Sequence, residues 1–507
     1  MWLNPVYQYG RRTLCRTCIR RIVSNGHLKH RNTDQVLWNT SAQSIFYTAP
    51  SDRPSTMSSS SRPEFESSLF VSAMYQDDVL LLSLDLDFED MLHDLDENLN
   101  FRKSTSWSKS LVMEFKNKCQ RLMENKEKLK SIQNDQNRIS SAYKAIAKKE
   151  KNSSLSKEEA AKQRAGLKDQ GRQLKDHHNH IIADFHTLEQ EVFYHALKIP
   201  NHLHKDTPTV DEVKELKTHG CPEKIKISKE KLQSALRKCV KFSNIGQRSY
   251  YLMSDAALKE QELIRKMSSD LRVAGFTHMV CPEIFRTVPI EGAGISPLNP
   301  KEVYHLEVQE TNKDKAHILP YKEYIRGTSV VPFLAYFTKH LVASDDLPRK
   351  FYTIGRSYDV EQERNPLPGL YGAPQNICAE VAAMTKNSLQ NEAMYDELQA
   401  TLWSCLMAMD IPARMVLVPA HSLHCSERKR TEIQFWSPSL QQYVQVGTLS
   451  CYGDFFSRRL MFRQSQDINK HHVSKSTPIY TIHGRWANIT RLVTLHLEYS
   501  CQFPNNG

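Results

Sequence analysis

The chain has 507 residues, which is enough for two or three domains that each bury a core of their own. Apolar residues make up 40% of it, and no apolar run approaches the roughly 18 residues of a membrane-spanning helix, so no membrane partner is expected. The eleven cysteines are an odd number spread over a long chain, which argues against a disulfide framework. The net charge of +11 favours an acidic partner.

One part of the basic charge lies at the N-terminus. Residues 1–33 hold seven Lys/Arg and no Asp or Glu, and the arginines alternate with apolar residues. This composition predicts a mitochondrial targeting presequence over residues 1–33 and a place in the mitochondrial matrix; the alternative is a basic tail that binds nucleic acid. Residues 34–75 contain the Ser- and Pro-rich stretch PSDRPSTMSSSSRPEFESS and predict a linker. Cys15 and Cys18 form a C-x-x-C pair without a second pair, so no metal site is expected there.

A long helical hairpin is predicted over residues 76–205. Each of its two helices has two tracks that repeat every seven residues, the first of them broken at Gln136. The tracks are Phe115, Leu122, Leu129 and Tyr143 with Ile132, Ile139 and Ile146, and then Leu167, Leu174, Ile181 and Leu188 with His178, Phe185 and Val192. This repeat is typical of a coiled-coil seam, and NSSLS at 152–156 predicts the turn between the helices. The neighbouring His177 and His180 point to other helix faces than His178, which argues against a metal site.

The hairpin carries the second part of the basic charge. Residues 126–176 hold fourteen Lys/Arg against seven Asp/Glu. The basic residues are Lys126, Lys128, Lys130, Arg138, Lys144, Lys148, Lys149, Lys151, Lys157, Lys162, Arg164, Lys168, Arg172 and Lys175. This twofold excess predicts several phosphate contacts with a nucleic acid, although such contacts do not distinguish RNA from DNA. The alternative is a solvated coiled-coil face, which usually carries both signs of charge.

Residues 206–507 predict a second domain of mixed character. Short apolar runs predict strands at 278–285, 413–420 and 442–450, and helices are expected at about 254–273 and 388–409. Antiparallel strands with helices against one face indicate the α+β class.

Several segments resemble, in order, the motifs of the class II seryl-tRNA synthetase family. They are the hairpin exit KIPNHLHKDTP (198–208), GQRSYYL with the following helix and motif 1 (246–285), the start of motif 2 in LPRKFYTIGRSYD (347–359), DFFSRR (454–459), and motif 3 in IHGRWANITRLVTLHLE (482–498). The resemblance covers roughly residues 80 to 505. It implies an antiparallel sheet flanked by helices after the hairpin, and a dimer formed through motif 1 with Pro282 at the interface.

The resemblance also implies that the residues for amino-acid activation are substituted. The altered positions are Val330 in the Thr-x-Glu loop, Tyr352 and Ile354 in motif 2, Gly372 in the motif 2 loop, Gln445 before the Ser-Ser pair, and His483 and Arg485 ahead of motif 3. A phenol does not replace a guanidinium at a phosphoryl centre, and an amide holds Mg²⁺ more weakly than a carboxylate does. Neither a catalytic residue nor a cofactor or metal is therefore expected. Glu380 and Arg491 match the family and leave residual nucleotide binding open.

A chain that keeps its frame while its chemistry is substituted indicates a non-catalytic mitochondrial paralogue. The expected partners are RNA, with tRNA(Ser) as one candidate and DNA as an alternative, and either the authentic mitochondrial seryl-tRNA synthetase in a heterodimer or a second copy in a homodimer. Two other hypotheses remain open: an ATP-dependent ligase with changed amino-acid specificity, and a scaffold or regulator of other matrix proteins.

Overall fold

The computed structural model describes residues 67, 69, 84–151, 157–222, 227–244, 249–300, 302–306, 323–360, 367–466 and 476–501. The predicted presequence lies outside these residues, as do the turn at 152–156 and the predicted linker apart from Ser67 and Leu69. Among the described helices, none combines the length and the apolar character that crossing a membrane requires.

The N-terminal part of the described chain is helical. Its elements are α1 (Phe88–His93), α2 (Leu95–Phe101), α3 (Lys109–Lys151) and α4 (Lys157–Ala196). Helices α3 and α4 run antiparallel, because Lys118 pairs with Glu191 at 3.0 Å and Asn125 donates to Asp184 at 3.1 Å. The predicted hairpin is therefore present.

The predicted seam holds the two long helices together over most of their length. The buried seam residues are Phe115, Leu122, Ile132, Ile146, Ile181, Leu188 and Val192. The exception is Tyr143 near the far end of α3, which is 47% exposed and has the guanidinium of Arg164 5.7 Å from its ring centroid. The heptad predicts Tyr143 in the seam, and the structure leaves it exposed although Ile146, one turn further along α3, is buried.

The second part of the chain is built on strands. They are β1 (Lys214–His219), β2 (Val240–Phe242), β3 (Tyr250–Leu252), β4 (Thr277–His278), β5 (Ile284–Arg286), β6 (Tyr304–Leu306), β7 (Glu323–Ile325), β8 (Leu341–Ala343), β9 (Arg349–Tyr358), β10 (Gln375–Thr385), β11 (Ala413–Leu417), β12 (Lys429–Ser437), β13 (Gln442–Gly453), β14 (Arg463–Ser465), β15 (Thr477–Pro478) and β16 (Tyr480–Asn488). Its helices are α5 (Lys229–Cys239), α6 (Ser254–Val273), α7 (Thr287–Gly292), α8 (Val330–Phe337), α9 (Ser388–Met407), α10 (Phe455–Leu460) and α11 (Ile489–Tyr499).

Eight of the strands form one sheet in the order β1-β11-β12-β13-β16-β10-β9-β4, and all neighbours are antiparallel except β4 and β9. This architecture confirms the predicted α+β class. The strand predicted over 278–285 is wrong in its middle, where the chain leaves the sheet between β4 and β5. Pro282 lies in this gap, and a proline cannot donate a backbone hydrogen bond to a strand ladder.

The two faces of the large sheet have different surroundings. On β10, Val381 and Ala383 lie in the apolar core together with residues of α6, α9 and α11. Glu380 and Ala382 alternate with them and therefore lie on the opposite face. This opposite face holds the candidate site, and the helix-covered face supplies most of the apolar burial that stabilises the sheet.

Arg102, which follows α2, joins the base of the hairpin to the sheet domain. Its guanidinium donates to Asn98 Oδ1 at 2.8 Å and to the carbonyl oxygens of His424 at 3.0 Å, Asn201 at 2.9 Å and Glu427 at 2.6 Å. The side chain is buried, so these acceptors replace the water that the cation loses. The joint fixes the direction in which the hairpin leaves the domain.

Candidate functional site

Three predicted site residues meet on the face of the sheet opposite the α6, α9 and α11 core. Glu380 on β10 lies opposite Arg485 on β16, and Ala382 lies opposite His483. Because directly opposed residues of antiparallel strands share a face, the side chains of Glu380, His483 and Arg485 lie together. On β10, Glu380 alternates with core residues; on β16, His483 and Arg485 lie two residues apart, just before an irregularity in the register between the two strands.

Glu380 and Arg485 form a buried ion pair. The Arg485 Nε donates to Glu380 Oε1 at 2.9 Å, and Glu380 is only 2% exposed. Burial raises the pKa of Glu380 while Arg485 lowers it, so the carboxylate depends on this guanidinium for its charge. Burial by itself disfavours the charged form of Arg485, but its neighbours, Glu380 and Asp359 among them, outweigh burial and raise its pKa.

His483 is held as a neutral ring beside this pair. Its Nε2 lies 3.2 Å from Glu380 Oε2, and its ring is tilted against Phe333 with centroids 5.8 Å apart. Burial, followed by the positive charge of Arg485, lowers the pKa of His483 to about 3. The imidazole therefore adds no charge to the site at neutral pH.

Two further charged residues belong to the site that the sequence analysis did not single out. Asp359 follows β9, donates its backbone N–H to the Pro374 carbonyl at 2.7 Å, and acts electrostatically on both Glu380 and Arg485. The positive charge of Arg326 lowers the pKa of Glu380, whereas that of Asp359 raises it. Arg326 also donates to the Tyr358 carbonyl at 3.2 Å. Counting in steps of two from Thr353, which lies opposite Glu380, would have found Asp359.

Tyr352 and Ile354 do not lie in this site, which corrects the expectation that they would face the phosphates of ATP. Tyr352 lies opposite Val381 on the helix-covered face, is fully buried, and has its hydroxyl 2.8 Å from Ser268 Oγ of α6. Ile354 lies opposite Ala379 on the same face. A motif match gives the positions of Tyr352 and Ile354 along β9, but the alternation of the strand turns both side chains toward the core.

Val330 and Gly372, two of the predicted positions, contribute no polar side chain to the site. Val330 begins α8, where Ser329 accepts from the Val331 N–H at 3.3 Å as the helix N-cap, and it packs against an apolar cluster. Gly372 lies in a tight turn in which a Cβ would overlap the carbonyl oxygen of Leu367. In this conformation, a larger residue at position 372 requires the turn to move.

Gln445 and Arg491 bind other parts of the protein. The Gln445 side-chain amide donates to Glu432 Oε1 at 2.8 Å. Arg491 is buried and donates through Nε to the Tyr371 carbonyl at 3.1 Å and through a terminal nitrogen to the Gln445 carbonyl at 2.7 Å. Within the part of the chain that the structure describes, no three His, Cys, Asp or Glu side chains are arranged to hold a metal ion.

Most of the basic side chains of the hairpin are exposed to solvent, in contrast to the buried residues of the sheet site. The exposed members of the predicted set are Lys126, Lys128, Lys130, Arg138, Lys144, Lys148, Lys162, Lys168, Arg172 and Lys175. Of these, Arg138 lies 3.5 Å from Asp135, one turn away on α3. The side chains of Lys149, Lys151 and Lys157 lie outside the described residues, and Arg164 is half-buried against Tyr143. The described cations lie along both helices.

Pro282 lies on an exposed apolar surface. It is exposed itself, and Val273 at the end of α6 and Val280 after β4 are 88% and 90% exposed. Ile284 on β5 and Leu258 on α6 are also exposed. Val280, Pro282 and Ile284 are near neighbours in the chain, and exposed apolar side chains in one segment are a common feature of protein–protein interfaces.

Comparison with known proteins finds similarity to aminoacyl-tRNA synthetases. Residues 317–500 match the family described as tRNA synthetase class II core domain (G, H, P, S and T). The serine–tRNA synthetase-like protein Slimp of Drosophila melanogaster is 29% identical over 321 residues, which cover 62% of this chain and 67% of that protein. The mitochondrial serine–tRNA ligase of Mus musculus is 27% identical over 354 residues, which cover 67% of this chain and 66% of that protein. The chain thus spans about two thirds of the length of these curated relatives.

Solved structures give the same fold. The crystal structure of seryl-tRNA synthetase from Pyrococcus horikoshii complexed with ATP superimposes with a TM-score of 0.65 at 17% identity, over 82% of this chain and 94% of that chain. The cytoplasmic serine–tRNA ligase of Naegleria fowleri in complex with AMP gives a TM-score of 0.64, also at 17% identity, over 82% and 93%. These likenesses confirm the predicted fold, a large antiparallel sheet with flanking helices that follows a helical N-terminal region.

Proposed function

Because the chain belongs to the class II seryl-tRNA synthetase family, we propose that it is a non-catalytic mitochondrial member that binds nucleic acid and dimerises. The observation that carries this proposal is the buried ion pair between Arg485 and Glu380, which fills the face of the sheet with the protein's own charges. The proposed role is stabilising or regulatory, because the protein keeps the fold of the family while the residues for amino-acid activation are substituted.

The charges on this face are unsuited to activating an amino acid. Activation joins a carboxylate to the α-phosphate of ATP, so it needs unpaired cations and a metal where negative charge develops. Here Arg485 is bound to Glu380, and Asp359 adds a negative charge beside it. Arg491 donates to two backbone carbonyls, and the amide of Gln445 is bound to Glu432. A nucleotide would have to displace several of these contacts before it could bind.

The hairpin supports nucleic-acid binding. Its exposed cations extend along both α3 and α4, so that an elongated anion such as an RNA stem can contact several of them at once. RNA, with tRNA(Ser) as the first candidate, is the proposed ligand, because the curated relatives of this chain include serine–tRNA ligases. DNA remains an alternative ligand, since phosphate contacts do not depend on base or sugar.

The exposed apolar surface around Pro282 supports a dimer. The proposed partner is the mitochondrial seryl-tRNA synthetase of the same organism, which would offer a related surface; a second copy of this chain is the alternative. Mitochondrial localisation rests on two observations: the acid-free basic composition of residues 1–33, and relatives that are named mitochondrial serine–tRNA ligases.

ATP–pyrophosphate exchange with serine tests the absence of catalysis. The purified full chain is expected to give no exchange above background, alone or mixed with RNA, and the mitochondrial enzyme assayed in parallel serves as the positive control. A turnover of about 1 s⁻¹ or faster, which is ordinary for an enzyme, contradicts the proposal. Pyrophosphate release with a different amino or keto acid would instead favour a ligase of changed specificity.

A further inference from the structure

A second basic surface lies far along the chain from the hairpin. Helix α5 and strand β2 carry five exposed cations, namely Lys229, Lys231, Arg237, Lys238 and Lys241. Within the part of the chain that the structure describes, none of the five has an ion pair. Glu230 is the one acidic residue between 229 and 242, so this stretch has a net charge of +4. We call these five cations the α5 patch.

The fold explains why this side of α5 faces solvent. Leu232 and Cys239 are buried, and Leu236 packs against the main core, so the apolar stripe of the helix is covered by the domain. Ser228 caps the helix by accepting from the Lys231 N–H at 3.3 Å, which fixes where the helix begins. The helix therefore has no apolar face left for insertion into a membrane, which argues against a lipid surface as the partner.

An exposed aromatic ring stands next to the patch. Strands β2 and β3 form a two-stranded ribbon, in which Lys241 lies directly opposite Tyr251. The ribbon begins at the end of α5, because the Met253 N–H donates to the Cys239 carbonyl at 2.8 Å. Tyr251 is 58% exposed and shares a ribbon face with Lys241. A cation and an exposed ring side by side suit a phosphate and its adjoining base.

We propose that the α5 patch and Tyr251 form a second nucleic-acid surface, specific for a single strand. The cations contact successive phosphates, and an unpaired base stacks on Tyr251. A duplex offers its phosphates but no free base face, so it gains only part of this interaction. The surface extends the nucleic-acid binding proposed for the hairpin, and its cations and ring belong to a different domain of the protein.

Fluorescence anisotropy with a labelled single-stranded RNA oligonucleotide and a matched duplex tests this inference on the full chain. The variant K231E/R237E/K238E is expected to bind the single strand about tenfold more weakly at ~0.1 M salt, and the slope of log affinity against log salt should fall by roughly 2. The control K205E/K214E/K217E makes the same change of charge on exposed residues in and near β1 and is expected to stay within about twofold of the wild type.

The aromatic contribution is tested separately. Tyr251→Ala is expected to weaken single-strand binding by about fivefold or more while leaving duplex binding unchanged. Phe242→Ala removes an exposed ring that lies opposite Tyr250 on the other ribbon face, and it serves as the matched control. Circular dichroism of each variant verifies that it is folded.

Several results would overturn the inference. One is single-strand affinity of the α5 variant equal to that of its control. Another is an equal loss of both ligands on Tyr251→Ala. The third is loss of binding to anionic phospholipid vesicles in place of RNA. If the hairpin variant K126E/K128E/K130E alone removes all RNA binding, the α5 surface is refuted while the proposed function stands. If wild-type protein binds neither RNA, both fail.

Discussion

Charged side chains have opposite environments in the sheet site around Glu380 and on the surface of the hairpin. On the sheet, the partly buried Arg485 pairs with Glu380, whose carboxylate is buried. On the hairpin, cations such as Lys128 and Lys168 are exposed and spaced along the helices. A charge that is already paired and buried offers little to a ligand, whereas an exposed charge keeps its attraction for a phosphate.

The difference teaches where to look for function in this chain. Its family likeness points to the sheet face, since that is the region matched by the class II core domain. The exposed charge points instead to the hairpin, whose exposed cations extend along both α3 and α4. The predictions below test this contrast, first by breaking the buried pair and then by weakening the joint and the exposed surface.

The largest effect is expected from breaking the buried pair. Arg485→Met leaves Glu380 buried without its guanidinium, which should lower the free energy of unfolding by about 3–5 kcal/mol. Urea denaturation of the full chain measures this loss, and the double variant E380Q/R485M should recover most of it. Arg349→Met, which breaks an exposed pair with Asp346, serves as the control and should change stability by less than about 1 kcal/mol. An R485M midpoint equal to that of the wild type would show that the pair has no structural role.

A smaller effect is expected at the joint between the two regions. Arg102→Met removes one donor from each of the carbonyl oxygens of His424, Asn201 and Glu427 and should destabilise the joint by about 2–3 kcal/mol. Asn98 Nδ2 still donates to the Asn201 carbonyl and the Glu427 N–H to that of His424. Hydrogen exchange measured by mass spectrometry should show faster exchange in α2 and in residues 424–427, with the centre of the sheet unchanged. Uniformly faster exchange throughout the domain would mean that Arg102 acts on the whole fold.

The hairpin prediction concerns affinity. Replacing Lys126, Lys128 and Lys130 by Glu should weaken RNA binding about tenfold to a hundredfold at ~0.1 M salt and reduce its salt dependence. Filter binding over a salt series measures both quantities. The thermal midpoint of the protein should remain within about 2 °C, since all three side chains are exposed. RNA affinity that does not change would favour the scaffold hypothesis, in which the basic surface has no ligand.

The smallest expected effect is a pH dependence of the joint. The hydrogen bond of His202 with Asp94, at 2.7 Å, raises the pKa of His202 in the folded protein. The stabilisation is therefore fully present below the unfolded pKa of about 6.5 and is lost as the pH rises through the higher folded value. Urea denaturation measures the free energy of unfolding between about pH 6 and pH 9. Over this range it should fall further in the wild type than in His202→Asn, by a measurable amount of up to about 1 kcal/mol. Parallel curves for the two proteins would contradict this assignment.

Elements with a strong local signal could be predicted from the sequence. The heptads of α3 and α4 show the seam directly, and the helix expected over 254–273 matches α6 (Ser254–Val273). Glu380, His483 and Arg485 were singled out by motif resemblance, and the structure brings their side chains together. Their ion pair was not foreseen, since pairing depends on the register between β10 and β16, which no local pattern reveals.

The residues that were missed share a physical reason. In the sequence, Asp359 and Arg102 look like ordinary surface residues. A charged side chain gives no sign of the distant segments that it will contact in the fold. Tyr352 was assigned to the wrong face because a motif match fixes position along a strand but not the direction of the side chain. The burial of a side chain and the sheet face on which it lies depend on the tertiary structure, so a local sequence pattern does not reveal them.

Calorimetric titration of the full chain with a non-hydrolysable seryl-adenylate analogue, in the presence of Mg²⁺, tests the central claim most directly. The account predicts no saturable heat up to about 1 mM analogue, where a binding free energy would be weaker than about −4 kcal/mol, while RNA added to the same sample binds. Saturable binding at about 1 μM would show that Arg485 and Glu380 give way to the ligand, and the reading of this face as closed to substrate would then be wrong.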